Sequence, residues 1–135
     1  MRLLLLVMLL STFSVPAATV LAHPSVPVES LTQAQLRNIF SLRQTLWPDG
    51  TPVRVIVMPV DTALHQRFCR EQLRLFPYQL NNIWDKHSFS GTGRRPEQAA
   101  DTAAMLQLIR SMPGAIGYAA SAGVDAGIKE VRIEQ

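Results

Sequence analysis

His65 and Cys69 stand four residues apart, the separation that stacks two side chains on one helix face, where an imidazole and a thiol could share a metal or form a thiolate–imidazole pair. Both also fall on the apolar arc of the helix that would carry them, beside Leu64, Phe68 and Leu73. The competing reading is therefore a cysteine packed next to a core histidine. His87 follows Leu80, Ile83 and Trp84 at i, i+3, i+4, i+7 spacing and reads as a packed histidine. No acidic residue at matching spacing completes a metal site. Gly91-Thr92-Gly93-Arg94-Arg95 is a second candidate, because glycines let backbone amides converge on an anion beside two guanidiniums. It lacks the spacing and lysine of a nucleotide phosphate loop and follows no expected strand, so a solvated loop competes with a phosphate cradle. Arg94 and Arg95 are the preferred pair for an acidic partner. The sequence has no Gly-x-Ser-x-Gly elbow, no His-Glu-x-x-His helix and no carboxylates paired by local spacing. These absences argue against an enzyme, and no cofactor or metal motif is apparent.

A chain of 135 residues, 47% hydrophobic and 17% charged, can bury one core. Thirteen Lys and Arg against ten Asp and Glu give +3, with no basic run interleaved with aromatics, so nucleic acid is not an expected partner. With Cys69 as the only cysteine, an intramolecular disulfide is excluded. Met1-Arg2 precedes the apolar run Leu3 to Leu10, too short to span a bilayer, and no later apolar segment is long enough. The pattern is that of a secretory leader, and Val20 and Ala22 supply small residues three and one positions before His23. The expected organisation is a signal peptide over 1–22, an extended Pro-containing arm over 23–30 and one domain over 31–135. Cleavage after Ala22 would leave 113 of the 135 residues, and loss of Arg2 would lower the charge from +3 to +2.

The elements follow from pattern. Thr32 and Gln35 form a capping box, and Leu31 can staple onto Leu36, opening a helix to about Ser41 that buries Leu36, Ile39 and Phe40. Trp47 precedes a Pro48-Asp49-Gly50 turn. Val53 to Met58 reads as an interior strand, ended by Pro59. Asp61 or Thr62 then caps a helix to about Phe76, with Leu64, Phe68, Cys69, Leu73 and Leu75 inward. After Pro77 comes a third helix, and a fourth runs from Glu97 or Asp101 to Ser111, burying Met105, Leu108, Ile109 and Met112. Pro113-Gly114 stops it. Ala115–Ala119 and Glu130–Ile133 are two more expected strands, separated by the Gly- and Ala-rich stretch 121–127. The expectation is a small α/β layer fold, a mixed sheet flanked by about four helices.

The order Leu31-Thr32 through Ile39-Phe40, Trp47-Pro48-Asp49-Gly50, Val53 to Val57, Trp84, Phe89 and Pro113-Gly114-Ala115-Ile116-Gly117-Tyr118 resembles the substrate-binding proteins of phosphate uptake, within the type II periplasmic binding-protein fold. The resemblance is to the second lobe of that fold, and it implies a periplasmic, non-enzymatic module. It further implies an oxyanion contact where β-strand Val53–Val57 turns into the next helix, at Thr62 with the amides of Ala63 and Leu64. Relatives carry an arginine and a Ser-Gly-Thr turn there. This chain has Met58-Pro59-Val60-Asp61-Thr62, with a methionine in place of the arginine and an added carboxylate. Two functions are expected from this: a solute-binding-type module for a small oxyanion with an eroded turn, or an envelope protein-interaction or sensory accessory acting through the open face. A homodimer could rebuild the missing half of a cleft, with Cys69 available for a covalent link if exposed.

Overall fold

A computed structural model describes residues 17–120 and 127–135. The chain runs β1 (Ala18–Ala22), β2 (Ser30–Thr32), α1 (Gln33–Phe40), β3 (Arg54–Val57), α2 (Ala63–Phe68), a π-helical turn (Cys69–Leu73), α3 (Pro77–Ser90), β4 (Glu97–Gln98), α4 (Thr102–Ser111), β5 (Ala115–Ala120), β6 (Lys129–Glu130) and β7 (Arg132–Glu134). The main sheet has five strands in the order β4-β3-β5-β1-β6, and β2 pairs with β7 in a small second sheet. β3 is parallel to both β4 and β5, whereas β1 runs antiparallel to β5 and β6. The expected α/β architecture, a small mixed sheet with four helices, is what forms.

Both faces of the sheet are covered, which explains why β5 is apolar throughout instead of alternating. Gly117 and Tyr118 are neighbours on a strand and so point to opposite faces. On one side a Cβ at Gly117 would lie 2.6 Å from Met105 Sδ and 3.2 Å from Ile109 Cδ1, so α4 lies flat on β5 at the one residue without a side chain. On the other, Tyr118 stacks on Phe68 of α2 with ring centroids 4.0 Å apart, and Phe68 meets Phe40 of α1 edge-on at 4.9 Å. Trp84 ties α3 into this face by donating from Nε1 to the Phe40 carbonyl at 2.8 Å. The capping box at Thr32 and Gln35 forms as its spacing implies, with both reciprocal bonds present.

Several boundaries differ from those expected, each for a local reason. The largest difference is at the N-terminus. Ala18–Ala22, placed in the leader by its small and apolar residues, is an inner strand between β5 and β6, with Ala18, Val20, Leu21 and Ala22 buried. Residues 23–30 are likewise fixed to the domain. His23 N donates to Ala115 O, Val26 is buried, and Lys129 Nζ donates to Val26 O while pairing with Glu29. Among the described residues, the stretch 18–30 is thus packed into the same folded unit as the chain from Leu31 onward.

The helix expected to reach Phe76 passes into the π-helical turn and ends at Leu73. Arg74 takes a left-handed conformation (φ 56°), and Arg37 Nε caps the freed Leu73 carbonyl at 2.9 Å. Glu97 does not open the fourth helix; it pairs with Ile56 in β4, and Asp101 caps α4 at the Ala104 amide. Glu130–Ile133 is divided between two sheets at the buried Val131. Of the stretch 121–127, only Gly127 falls within the described residues.

Gly114 shows why a proline and a glycine end α4. It has φ +81°, its amide donates to Ser25 Oγ, and its carbonyl accepts from Trp47 Nε1 at 3.0 Å and from the Arg54 amide at 3.0 Å. A Cβ there would lie 2.3 Å from the Pro52 carbonyl oxygen, whereas at Gly50 (φ +86°) it would meet nothing within 4 Å. Gly50→Ala therefore isolates the cost of a left-handed backbone, about 1 kcal/mol. Gly114→Ala adds a clash with backbone and is expected to lose about 2–3 kcal/mol. Urea unfolding of the two variants side by side checks this, and equal losses would refute the role given to the Pro52 contact.

Candidate functional site

The turn from β3 into α2 is where the resemblance puts an oxyanion, and two of its donors, the Met58 amide and the Thr62 hydroxyl, are engaged within the protein. Thr62 occupies the cap position of α2 with an extended backbone, yet its hydroxyl makes no capping bond; it donates backwards to the Pro59 carbonyl at 2.7 Å. The Met58 amide, next along from β3, donates to the Tyr118 hydroxyl at 2.9 Å. Between them Val60 and Asp61 face solvent, so the exposed part of the turn offers an aliphatic group and a carboxylate. Ala63 is exposed and Leu64 half-buried at the first turn of α2, a helix of six residues.

Behind this turn lies a chain of buried polar groups. Tyr118 Oη, which accepts from Met58, is hydrogen-bonded to His65 Nδ1, and His65 Nε2 lies 3.4 Å from Cys69 Sγ. All three side chains are essentially inaccessible. Burial lowers the His65 pKa and raises that of Cys69 to about 12. Burial also raises the Tyr118 phenol, opposed by the Met58 hydrogen bond and reinforced by the neighbouring Cys69. The phenol is thus un-ionised and the imidazole neutral at pH 7. The tautomer with its proton on Nε2 would satisfy all three groups, Nδ1 accepting from the Tyr118 hydroxyl and Nε2–H facing the sulfur. No buried side-chain N or O atom among the described residues lacks a partner. His65 and Cys69 do meet, as their spacing implies, in the packed-core form. A buried thiol with a raised pKa is a poor nucleophile and is out of reach of a second chain, so the exposed Cys69 that a covalent link would require is not what the fold presents.

Arg94 and Arg95 do not join the Thr62 turn. They precede β4, which is parallel to β3, while Thr62 follows β3, so the two candidates lie at opposite ends of the strands. Arg94 and Arg95 instead line a groove of about 420 Å³ with Arg54, Thr92, Gly93 and Glu97. Arg95 is engaged there: it pairs with Asp85, bonds Asn81 Oδ1 at 3.2 Å, and its guanidinium lies 5.8 Å from the centroid of the Trp84 ring. Arg94 is exposed. His87 is half-buried and bonds Thr92 Oγ1 at 3.1 Å, holding the glycine loop and not the core. Tyr118 belongs to the buried network of His65 and Cys69 although no motif spacing marks it. Its signal was one hydroxyl in the otherwise apolar Ala115–Ala119 run, which a strand covered on both faces must satisfy internally.

No protein-family model matches the sequence, and no curated protein does. Solved structures do match by shape. A putative phosphate ABC transporter substrate-binding protein with bound phosphate, from Clostridium perfringens, superposes with a TM-score of 0.67 at 20% identity, over 87% of this chain and 44% of its own. An ABC-type phosphate transport receptor from Vibrio cholerae gives 0.64 at 15% identity over 87% and 46%. PstS from Borrelia burgdorferi gives 0.65 at 14% over 87% and 47%. The fold is that of one lobe of a phosphate-type substrate-binding protein. The chain spans under half the length of each of these proteins, and the likeness at such identities is one of fold.

The buried network sets a pH dependence. Because the folded pKa of His65 lies below its usual 6.5, the unfolded state binds more protons beneath that value. The contribution is complete above pH 6.5 and is lost as pH falls from there toward the folded pKa, with a slope of at most about 1.4 kcal/mol per unit. His65→Gln is expected to be less stable at pH 7.5 yet to show a flatter decline between pH 6.5 and 5.5, measured by urea midpoints. An unchanged slope would remove His65 as the cause. Cys69 is expected to resist an aromatic disulfide reagent in the native protein and to react fully in urea; prompt native reaction would show the thiol to be accessible.

Proposed function

We propose that this chain is an exported, non-enzymatic module of the solute-binding-protein type, working in the bacterial periplasm, whose turn at Thr62 has lost an effective grip on oxyanions. The observation that carries the reading is the superposition on phosphate receptors, one of them with phosphate bound, over 87% of this chain. The apolar Leu3–Leu10 segment behind Met1-Arg2 supports export. The eroded grip is supported by the engagement of the Met58 amide and the Thr62 hydroxyl inside the protein, with Asp61 beside them. Favourable anion sites have the reverse arrangement: free amides or hydroxyls, a cation, and no fixed carboxylate.

The same turn favours a second reading, in which the open face meets another envelope protein or a second copy of this chain. A surface that presents Val60 and Asp61 is suited to a protein contact and poorly suited to an anion. Isothermal titration of the exported protein with phosphate and with sulfate tests the eroded turn that both readings share. No saturable heat up to millimolar ligand is expected. A saturable phosphate isotherm would overturn the eroded turn and restore direct solute binding. Sedimentation velocity then distinguishes a self-associating lobe from one whose partner is a different protein.

A further inference from the structure

β1 carries an inference about how the chain is processed, which rests on the export reading above. A leader removed after Ala22 would take all of β1 with it. That strand pairs with β5 over five residues, Ala18↔Ala120 to Ala22↔Ile116, and with β6 at Leu21 and Ala22. Its carbonyls are used as well: Val20 O accepts from the Val131 amide, and Ala18 O accepts from Gln72 Nε2 at 2.8 Å. Cutting after Ala22 would leave the apolar β5 with an open edge and β6 without its neighbour, the condition that folded sheets avoid.

The comparison structures point the same way. An 87% share of 135 residues is about 117, but only 113 remain after residue 22, so the shared fold extends N-terminally of His23.

A second small-x-small pair lies immediately before the strand. Val15 and Ala17 stand three and one positions before Ala18, with Pro16 between them. Proline cannot continue a helix and biases the residue before it toward extended backbone, so it separates the apolar leader from the stretch that a peptidase must bind extended. Ala17 itself is exposed and outside the sheet, while Ala18, the next residue, is buried. We infer that a signal peptidase cuts between Ala17 and Ala18, making β1 the N-terminal strand of the exported protein. Hydrolysis breaks the Ala17–Ala18 amide; the water oxygen ends on the Ala17 carboxylate, and the released nitrogen takes up protons as the Ala18 α-ammonium.

The test expresses the full chain in a Gram-negative host, fractionates the cells, and reads intact mass and N-terminal sequence. Periplasmic protein beginning Ala-Thr-Val-Leu supports the cut. Periplasmic protein beginning His-Pro-Ser, or at any other residue, overturns it while leaving export standing. An uncut chain, in the cytoplasm or held at the membrane, overturns the cut, and cytoplasmic retention overturns export too. Ala17→Tyr places a bulky ring in the pocket for the last leader residue at a position outside the folded sheet. It is expected to cut processing at least tenfold in a pulse–chase, and unimpaired maturation of that variant would sink the inference.

Discussion

A phenol buried in the middle of an apolar strand has to find its hydrogen bonds inside the protein, and the way Tyr118 does so organises the surrounding elements. Leaving such a group unpaired costs about 1–3 kcal/mol. Tyr118 Oη accepts from the end of β3 at Met58 and reaches α2 through His65. Its ring stacks on Phe68, which in turn packs against Phe40 of α1. One side chain thereby fixes the distance of two helices from the sheet and the path of the chain as it leaves β3. The cost of burying His65 is a depressed pKa, and the neutral ring is the form that can accept from Tyr118 while donating toward Cys69.

That network also determines what the turn after β3 can offer. A backbone amide at the end of a parallel strand is a natural anion ligand when it points into solvent. Here the Met58 amide points at a phenol, and the Thr62 hydroxyl is turned onto Pro59 O. Both of these donors are used internally, and the solvent side of the loop is left to Val60 and Asp61. The basic groove by Arg54 and Arg94 lies at the other end of the strands, and Arg95 is held there by Asp85 and Trp84.

The parts legible in the sequence were those with a local signature. The Thr32/Gln35 box, the interior strand ended by Pro59, the Pro113-Gly114 stop and the His65–Cys69 contact each follow from residue types at fixed offsets. β1 was hidden because Ala18–Ala22 is small and apolar, the composition shared by a leader's end and a buried strand; only its pairing with β5, a partner about a hundred residues away, tells them apart. β4 was hidden by its two polar, exposed residues, Glu97 and Gln98, which look like a helix start. The π-helical turn escaped for another reason: an apolar arc at helical spacing continues through it, and its end is set by the left-handed Arg74 and by Arg37 from α1, a tertiary contact. The separation of Arg94 and Arg95 from Thr62 is a matter of strand direction, which periodicity does not report.

An open lobe face changes the worth of an anion contact. At the surface, unit charges about 4 Å apart interact with only about 1 kcal/mol in bulk water, and several-fold more once water is excluded. A guanidinium or hydroxyl at the end of β3 thus gains most of its value when something closes over it. The turn after β3 carries Met58 and a solvent-facing Asp61 instead, and routing the Met58 amide to Tyr118 satisfies a buried phenol. The buried bond to Tyr118 is the more favourable use of the Met58 amide, because a phenol left unpaired in the core costs more than a water-screened surface contact returns.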